Sequence, residues 1–151
     1  MRRKDRERDQ EFAFMVVDKC EYAVLSMVDQ RGKPYCIPIS IVRENENIYF
    51  HCAKDGKKVE LMRKCPNVCM TFVGNTYREK DKFTTKYESA IAYGIAQEVY
   101  LEEEKVIALR MLCERHTPTN MENFEKEIAK SLSKTAVWKV TIDSITGKCK
   151  E

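Results

Sequence analysis

Two β-prone runs, Tyr22–Val28 and Tyr35–Val42, are separated only by Asp29-Gln30-Arg31-Gly32-Lys33-Pro34, and this spacing constrains the fold more than any other feature. A link that short joins antiparallel neighbours, because a parallel crossover needs a dozen residues or more. Gly32 supplies the freedom to take positive φ in the turn. Pro38, inside the second run, cannot donate to a ladder, which assigns it to a sheet edge or a bulge. A second turn, Glu44-Asn45-Glu46-Asn47, leads into a third apolar run, Ile48–Cys52. Consecutive hairpins point to an antiparallel barrel rather than a parallel sheet.

The remaining elements fit around these hairpins. A short helix is expected over about Glu11 to Cys20, with Phe14, Val17 and Met15 turned inward. A helix from about Gly56 to Lys64 ends before Pro66, since the residue preceding proline is pushed out of the α region. Val68–Val73 reads as a fourth strand, the polar stretch Gly74–Thr85 as a surface loop, and Lys86–Tyr100 as a long fifth strand. Gly94 in that strand marks a bend or a close backbone approach. Glu102-Glu103-Glu104 opposes the positive end of a helix whose buried stripe is Val106, Leu109, Leu112 and Cys113. Thr119 and Glu122 have capping-box spacing ahead of Phe124, Ile128 and Leu132. A last strand is expected over 136–142. Repeats, low-complexity tracts and linkers are absent from the sequence, so residues 1–151 read as one domain.

Composition narrows the function classes. The 27 basic and 24 acidic side chains are interleaved, with a net charge of only +3, so no basic stripe invites nucleic acid. The apolar runs fall short of the roughly 20 residues that a membrane helix needs. The charged start MRRKDRERDQE has no apolar stretch behind it, so no membrane association and a cytoplasmic location are expected. Seven cysteines form an odd set without a C-x-x-C pair. They read as free, mostly buried thiols rather than disulfides or a zinc site, and no metal is expected.

The segment that carries chemistry is Ile48–Pro66, IYFHCAKDGKKVELMRKCP. A strand feeds a helix through Ala53-Lys54-Asp55-Gly56, which places Lys57 and Lys58 in the helix's first turn. The amino end of a helix already carries about half a positive charge, so cations there are unfavourable unless an anion joins them. A phosphate suits the place, because free N–H groups and ammonium groups converge on it. The other reading leaves both lysines solvated or paired with Asp55 and Glu60. The spacing is not that of a P-loop. His51 stands a few residues upstream, where it could bond a cofactor, move a proton or serve the structure alone. His116 falls in a helix–helix connection and reads as a surface or capping residue.

Several blocks in order resemble the FMN-binding split-barrel proteins related to pyridoxamine-phosphate oxidase, and within them the branch of nitroimidazole-resistance proteins. These blocks are the opening MRRKDRE, YCIPISI, IYFHCAKDGKKVELMRKCPNVCM, YESAIAYGIAQEV with the Glu-Glu-Lys that follows, and VWKVTIDSITGK. The resemblance implies a mainly β fold with α-helices, a six-stranded antiparallel split β-barrel that forms a homodimer with two FMN sites at the subunit seam. It implies that Lys57 and Lys58 hold the flavin phosphate, and that Ile39, Ser40 and Ile41 lie against the ring. His51 and Ala53 would line the same cavity, with Tyr87 and Ser89 approaching from the partner. Ile39-Ser40-Ile41 stands where relatives often carry a Leu-Asn-Phe-like triplet, and the carboxy-terminal substrate segment of true pyridoxamine-phosphate oxidases is missing.

The expected activity is an FMN-dependent oxidoreductase, reduced by a nicotinamide or another donor and passing electrons to a small nitroaromatic or quinone-like acceptor. His51 is the candidate proton donor or substrate clamp. The alternative is a non-catalytic protein that binds or senses flavin or haem, with His51 or His116 as the axial ligand.

Overall fold

The computed structural model describes residues 2–151. After a short β1 (Glu7–Arg8), Asp9 starts helix α1 (Gln10–Lys19), its carboxylate accepting from the Phe12 N–H at 2.8 Å. The hairpin β2 (Ala23–Val28) and β3 (Pro34–Ile39) follows. Its turn is organised by the Asp29 carboxylate, which accepts from the N–H groups of Arg31 and Lys33 at 2.9 and 2.8 Å, with Gly32 at φ 77°. Then come β4 (Val42–Glu44), β5 (Asn47–Ala53), α2 (Lys57–Lys64), β6 (Asn67–Arg78) and β7 (Thr85–Val99). Helices α3 (Glu102–His116) and α4 (Phe124–Ser131) precede β8 (Thr135–Lys150).

All strand pairs are antiparallel, in the order β3-β2-β6-β7-β8-β5-β4, with β1 added to β8. The expectation of a six-stranded barrel therefore gives way to an open sheet of eight strands. Two features account for the difference. The run Tyr35–Val42 breaks at Ser40-Ile41 into β3 and β4, and residues 7–8 add a strand of their own. β3 and β4 are the unpaired edges of the sheet, yet only those two residues separate them in the chain. That stretch spans at most roughly 11 Å, so the sheet must coil until its two edges stand side by side.

The long ribbon of β6, β7 and β8 departs from expectation in two places. Half of Gly74–Thr85 is strand rather than loop, with the true connection limited to residues 79–84. This arm is exposed on both faces, so it lacks the apolar alternation that marks a strand. β8 runs on to Lys150 rather than stopping at Ile142. A register shift at Tyr93/Gly94 resets the pairing so that the ribbon continues. Gly94 makes the close approach its sequence position suggested: a Cβ there would sit 2.3 Å from the Thr141 carbonyl oxygen. Thr119 and Glu122 do not form a capping box. Pro118–Asn123 is a 3-10 turn, and α4 begins only at Phe124 without a side-chain cap. On α1 the buried residues are Ala13, Val16 and Val17. Phe14 instead carries the Arg43 guanidinium 4.5 Å above its ring, and Met15 is exposed.

Two hydrophobic clusters flank β5. Ile48, Phe50 and Cys52 face the main core with α1, β2 and β6, while Tyr49 faces a smaller cluster built on α3 and α4. A strand buried on both faces reads as a continuous apolar run, which explains IYFHC. Glu104 pins α3 to this sheet. It accepts from Lys139 Nζ at 2.9 Å and Tyr49 Oη at 3.2 Å. Lys139 holds the Glu104 carboxyl below its ordinary range, and burial together with Glu104 pushes the Tyr49 phenol up to about 12.

Candidate functional site

The site is built on the β5–α2 connection. Gly56 is the residue before α2 and has φ 125°, a conformation that a side chain would strain. No side chain caps the helix. Its first N–H groups thus have no partner from a capping residue. Lys57 and Lys58 occupy the first turn. The lysine–carboxylate pairs of the described residues run through Lys19, Lys86, Lys130 and Lys139, so neither Asp55 nor Glu60 neutralises the two lysines. Lys57 instead rests with its Nζ 4.2 Å from the centre of the Tyr35 ring on β3, which holds the ammonium at the sheet edge. Unneutralised cations, uncapped N–H groups and a glycine that leaves room for a ligand fit a phosphate dianion.

His51 and Ala53 lie on the face of β5 turned toward α3, the side to which Tyr49 points. Burial lowers the His51 pKa, and the positive charge of Lys58 and the neighbouring His116 lower it further. The shift favours the neutral imidazole, and the side chain is at the same time exposed to solvent. Among the described residues no protein group hydrogen-bonds its ring, which leaves one N–H donor and one acceptor free. His116, which the sequence reads as a surface or capping residue and, under the haem alternative, as an axial ligand, lies close enough to His51 to act on its charge. From the last turn of α3 its Nε2–H donates to the Ile41 carbonyl at 2.9 Å, which ties α3 to the seam between β3 and β4. Its signal in the sequence was weak, since a histidine ahead of Thr-Pro at a helix end has many ordinary roles.

The seam residues divide. Ile39 and Ile41 bury their side chains in the core, so only their backbone is available to a ligand, whereas Ser40 is exposed. Tyr87 and Ser89 are elsewhere. Ser89 pairs with Lys148 and His51 with Val137, positions roughly 35 Å apart along an extended strand. The Tyr87 hydroxyl accepts from Arg6 Nη1 at 3.4 Å, and that bond lowers its pKa. His51, Ala53, Lys57 and Lys58 thus share the β5–α2 connection, whereas Tyr87 and Ser89 lie far along β7 from it, and Ser40 follows the end of β3 whose register runs through Ala23 and Phe72 to Ala90. Next to Ser89, on the same face of β6 and β7, lies an exposed strip of Val73, Ile91, Tyr93 and Ile95.

The sequence pattern of the pyridoxamine 5'-phosphate oxidase family matches residues 9–149. The chain belongs to that family. A search of curated proteins gives no match to this family member. Solved structures share its fold. A candidate 5-nitroimidazole antibiotic resistance protein from Bacteroides thetaiotaomicron is 24% identical with a TM-score of 0.77, over 95% of this chain and 89% of that one. The flavocytochrome Anf3 from Azotobacter vinelandii is 22% identical with a TM-score of 0.84, over 100% and 72%. An FAD-binding protein from Mycobacterium smegmatis is 17% identical with a TM-score of 0.67, over 95% and 96%. Similar folds therefore include proteins named for flavin and for haem, and this pyridoxamine 5'-phosphate oxidase family member has no described helix long and apolar enough to cross a membrane.

Proposed function

We propose that this single-domain chain is an FMN-binding oxidoreductase that works as a homodimer, with the flavin phosphate at the start of α2. The observation that carries the reading is the pair Lys57 and Lys58 in the uncapped first turn behind Gly56, with no carboxylate to neutralise them. Bound flavin supplies the electron-carrying chemistry. The chain's own residues orient and tune. Lys57 and Lys58 neutralise the phosphate, and Ser40 with the seam backbone borders the ring. His51, unpartnered and with its neutral form favoured, offers an N–H to a small nitroaromatic or quinone-like acceptor, with reduced nicotinamide as the donor. The dimer follows from the apolar strip and from Tyr87 and Ser89, which reach a site only if a second copy brings them there.

The test is the absorption spectrum of the purified protein and the mass of the ligand released on mild denaturation. A yellow protein releasing FMN supports the reading. FAD or no flavin overturns the FMN assignment, and a Soret band would assign the cavity to haem with His51 as its ligand. Turnover of reduced nicotinamide with an acceptor separates an enzyme from a binder.

A further inference from the structure

The first two residues of α2 do not point the same way. Lys57 reaches the edge strand β3, where its Nζ stands 4.2 Å from the centre of the Tyr35 ring. Lys58 is half-buried beside β5, close enough to His51 and Cys52 for its charge to act on both. β3 and β5 lie far apart in the strand order, and only the coiling of the sheet brings them to one helix start. Tyr35 is itself fixed: it pairs with Met27 and packs, half-buried, against the main core beside Ile37. α2 is fixed too, by the buried side chains of Val59, Leu61 and Met62. The ring contact therefore ties two anchored elements together through an exposed lysine that would otherwise move freely.

We propose that Tyr35 is the positioning residue of the anion site: its ring holds the Lys57 ammonium ready for a phosphate dianion without neutralising it. A lysine has many rotamers, and it loses that freedom when it grips a ligand. A ring that already restrains the ammonium removes part of the loss before the ligand arrives. A carboxylate in the same place would restrain the ammonium as well, but it would cancel the charge that the phosphate needs. A ring face attracts the cation through its quadrupole and leaves the unit charge in place. The N–H groups on the side away from the ring stay free for phosphate oxygens. Among the described residues the lysine–carboxylate pairs do not include Lys57, so the ring contact is what restrains it. The inference rests on the flavin reading for what carries the phosphate, and on the ring contact for the part that Tyr35 plays.

FMN and inorganic phosphate, titrated into the full-length protein, test it. Tyr35→Leu keeps an apolar side chain against the core but removes the ring; it should weaken FMN about three- to tenfold and leave riboflavin binding as it was. Tyr35→Phe, which restores the ring without the hydroxyl, should recover FMN affinity to within about twofold. With Lys57→Ala already present, Tyr35→Leu should cost nothing more, because the ring acts only through that ammonium. In the unsubstituted protein the Lys57 Cε protons, followed by NMR, should show the upfield shift of a ring neighbour and keep it as inorganic phosphate binds. Undiminished FMN affinity in Tyr35→Leu, a Tyr35→Phe protein as weak as Tyr35→Leu, or the same loss in the Lys57→Ala background would overturn the proposal. Should Tyr35→Leu not fold, a Lys57 signal that loses its upfield shift on phosphate binding overturns it equally. If phosphate binds in a way that Tyr35→Leu weakens and FMN does not bind, only the flavin reading falls. If FMN binds and Tyr35→Leu is indifferent, only this inference falls, and if neither ligand moves the Lys57 signal, both do.

Discussion

The two ends of the coiled sheet are unfinished in opposite ways. At the β5–α2 end, two lysines and an uncapped helix start gather positive charge with no protein anion to receive it. At the β6–β7 end, Tyr93 is 58% exposed amid Val73, Ile91 and Ile95, so the deficit is apolar. Charge without a counter-charge calls for a small anion. Bare apolar surface calls for a protein partner. A two-fold dimer would satisfy both at once, because it covers the strip of each copy and carries Tyr87 and Ser89 toward the other copy's lysines.

That pairing can be broken from either side. The largest effect is expected from Tyr93→Glu, which puts a carboxylate in the middle of the strip. Association should weaken by at least about 2 kcal/mol, seen as a shift to monomer in sedimentation velocity. Flavin affinity should fall with it. Retained affinity in a monomer would remove Tyr87 and Ser89 from the site. Lys57→Ala should leave the dimer intact and cost a charge-assisted contact of roughly 1.5–3 kcal/mol, about tenfold to a hundredfold in FMN affinity by titration.

A smaller effect concerns protonation. The His51 ring, titrated by NMR, should have its midpoint below the usual histidine value, and Lys58→Ala should move that midpoint up by removing a neighbouring positive charge. Because the folded pKa is depressed, the stability linked to His51 is complete above the unfolded value of about 6.5 and declines as pH falls through the folded one. An unchanged midpoint in Lys58→Ala would separate the two side chains.

The legible parts of the sequence were those where local chemistry decided the outcome. The Asp29–Pro34 turn, Gly94 and the lysines after Gly56 each express a backbone or charge requirement that acts within a few residues. The β6–β7 arm was hidden because its strands are solvated on both faces and show no apolar period. Ser40-Ile41 was hidden as well: the break between β3 and β4 arises from the coiling of the whole sheet, and a strand-like run gives no sign of it. Ile39 and Ile41 fall on the inward face by strand alternation, so the triplet expected to border a ring offers a ligand only the Ser40 side chain. His116 reaches Ile41 across 75 positions of sequence, a distance over which a single sequence carries no contact signal.

The comparison of FMN with riboflavin tests the central claim most directly, because the two ligands differ only by the phosphate. The natural chain should bind FMN at least about a hundredfold more tightly, and Lys57→Ala with Lys58→Ala should erase most of that difference. Equal affinities in the natural chain, or a preference for FMN that survives loss of both lysines, would contradict the assignment of the phosphate to the start of α2.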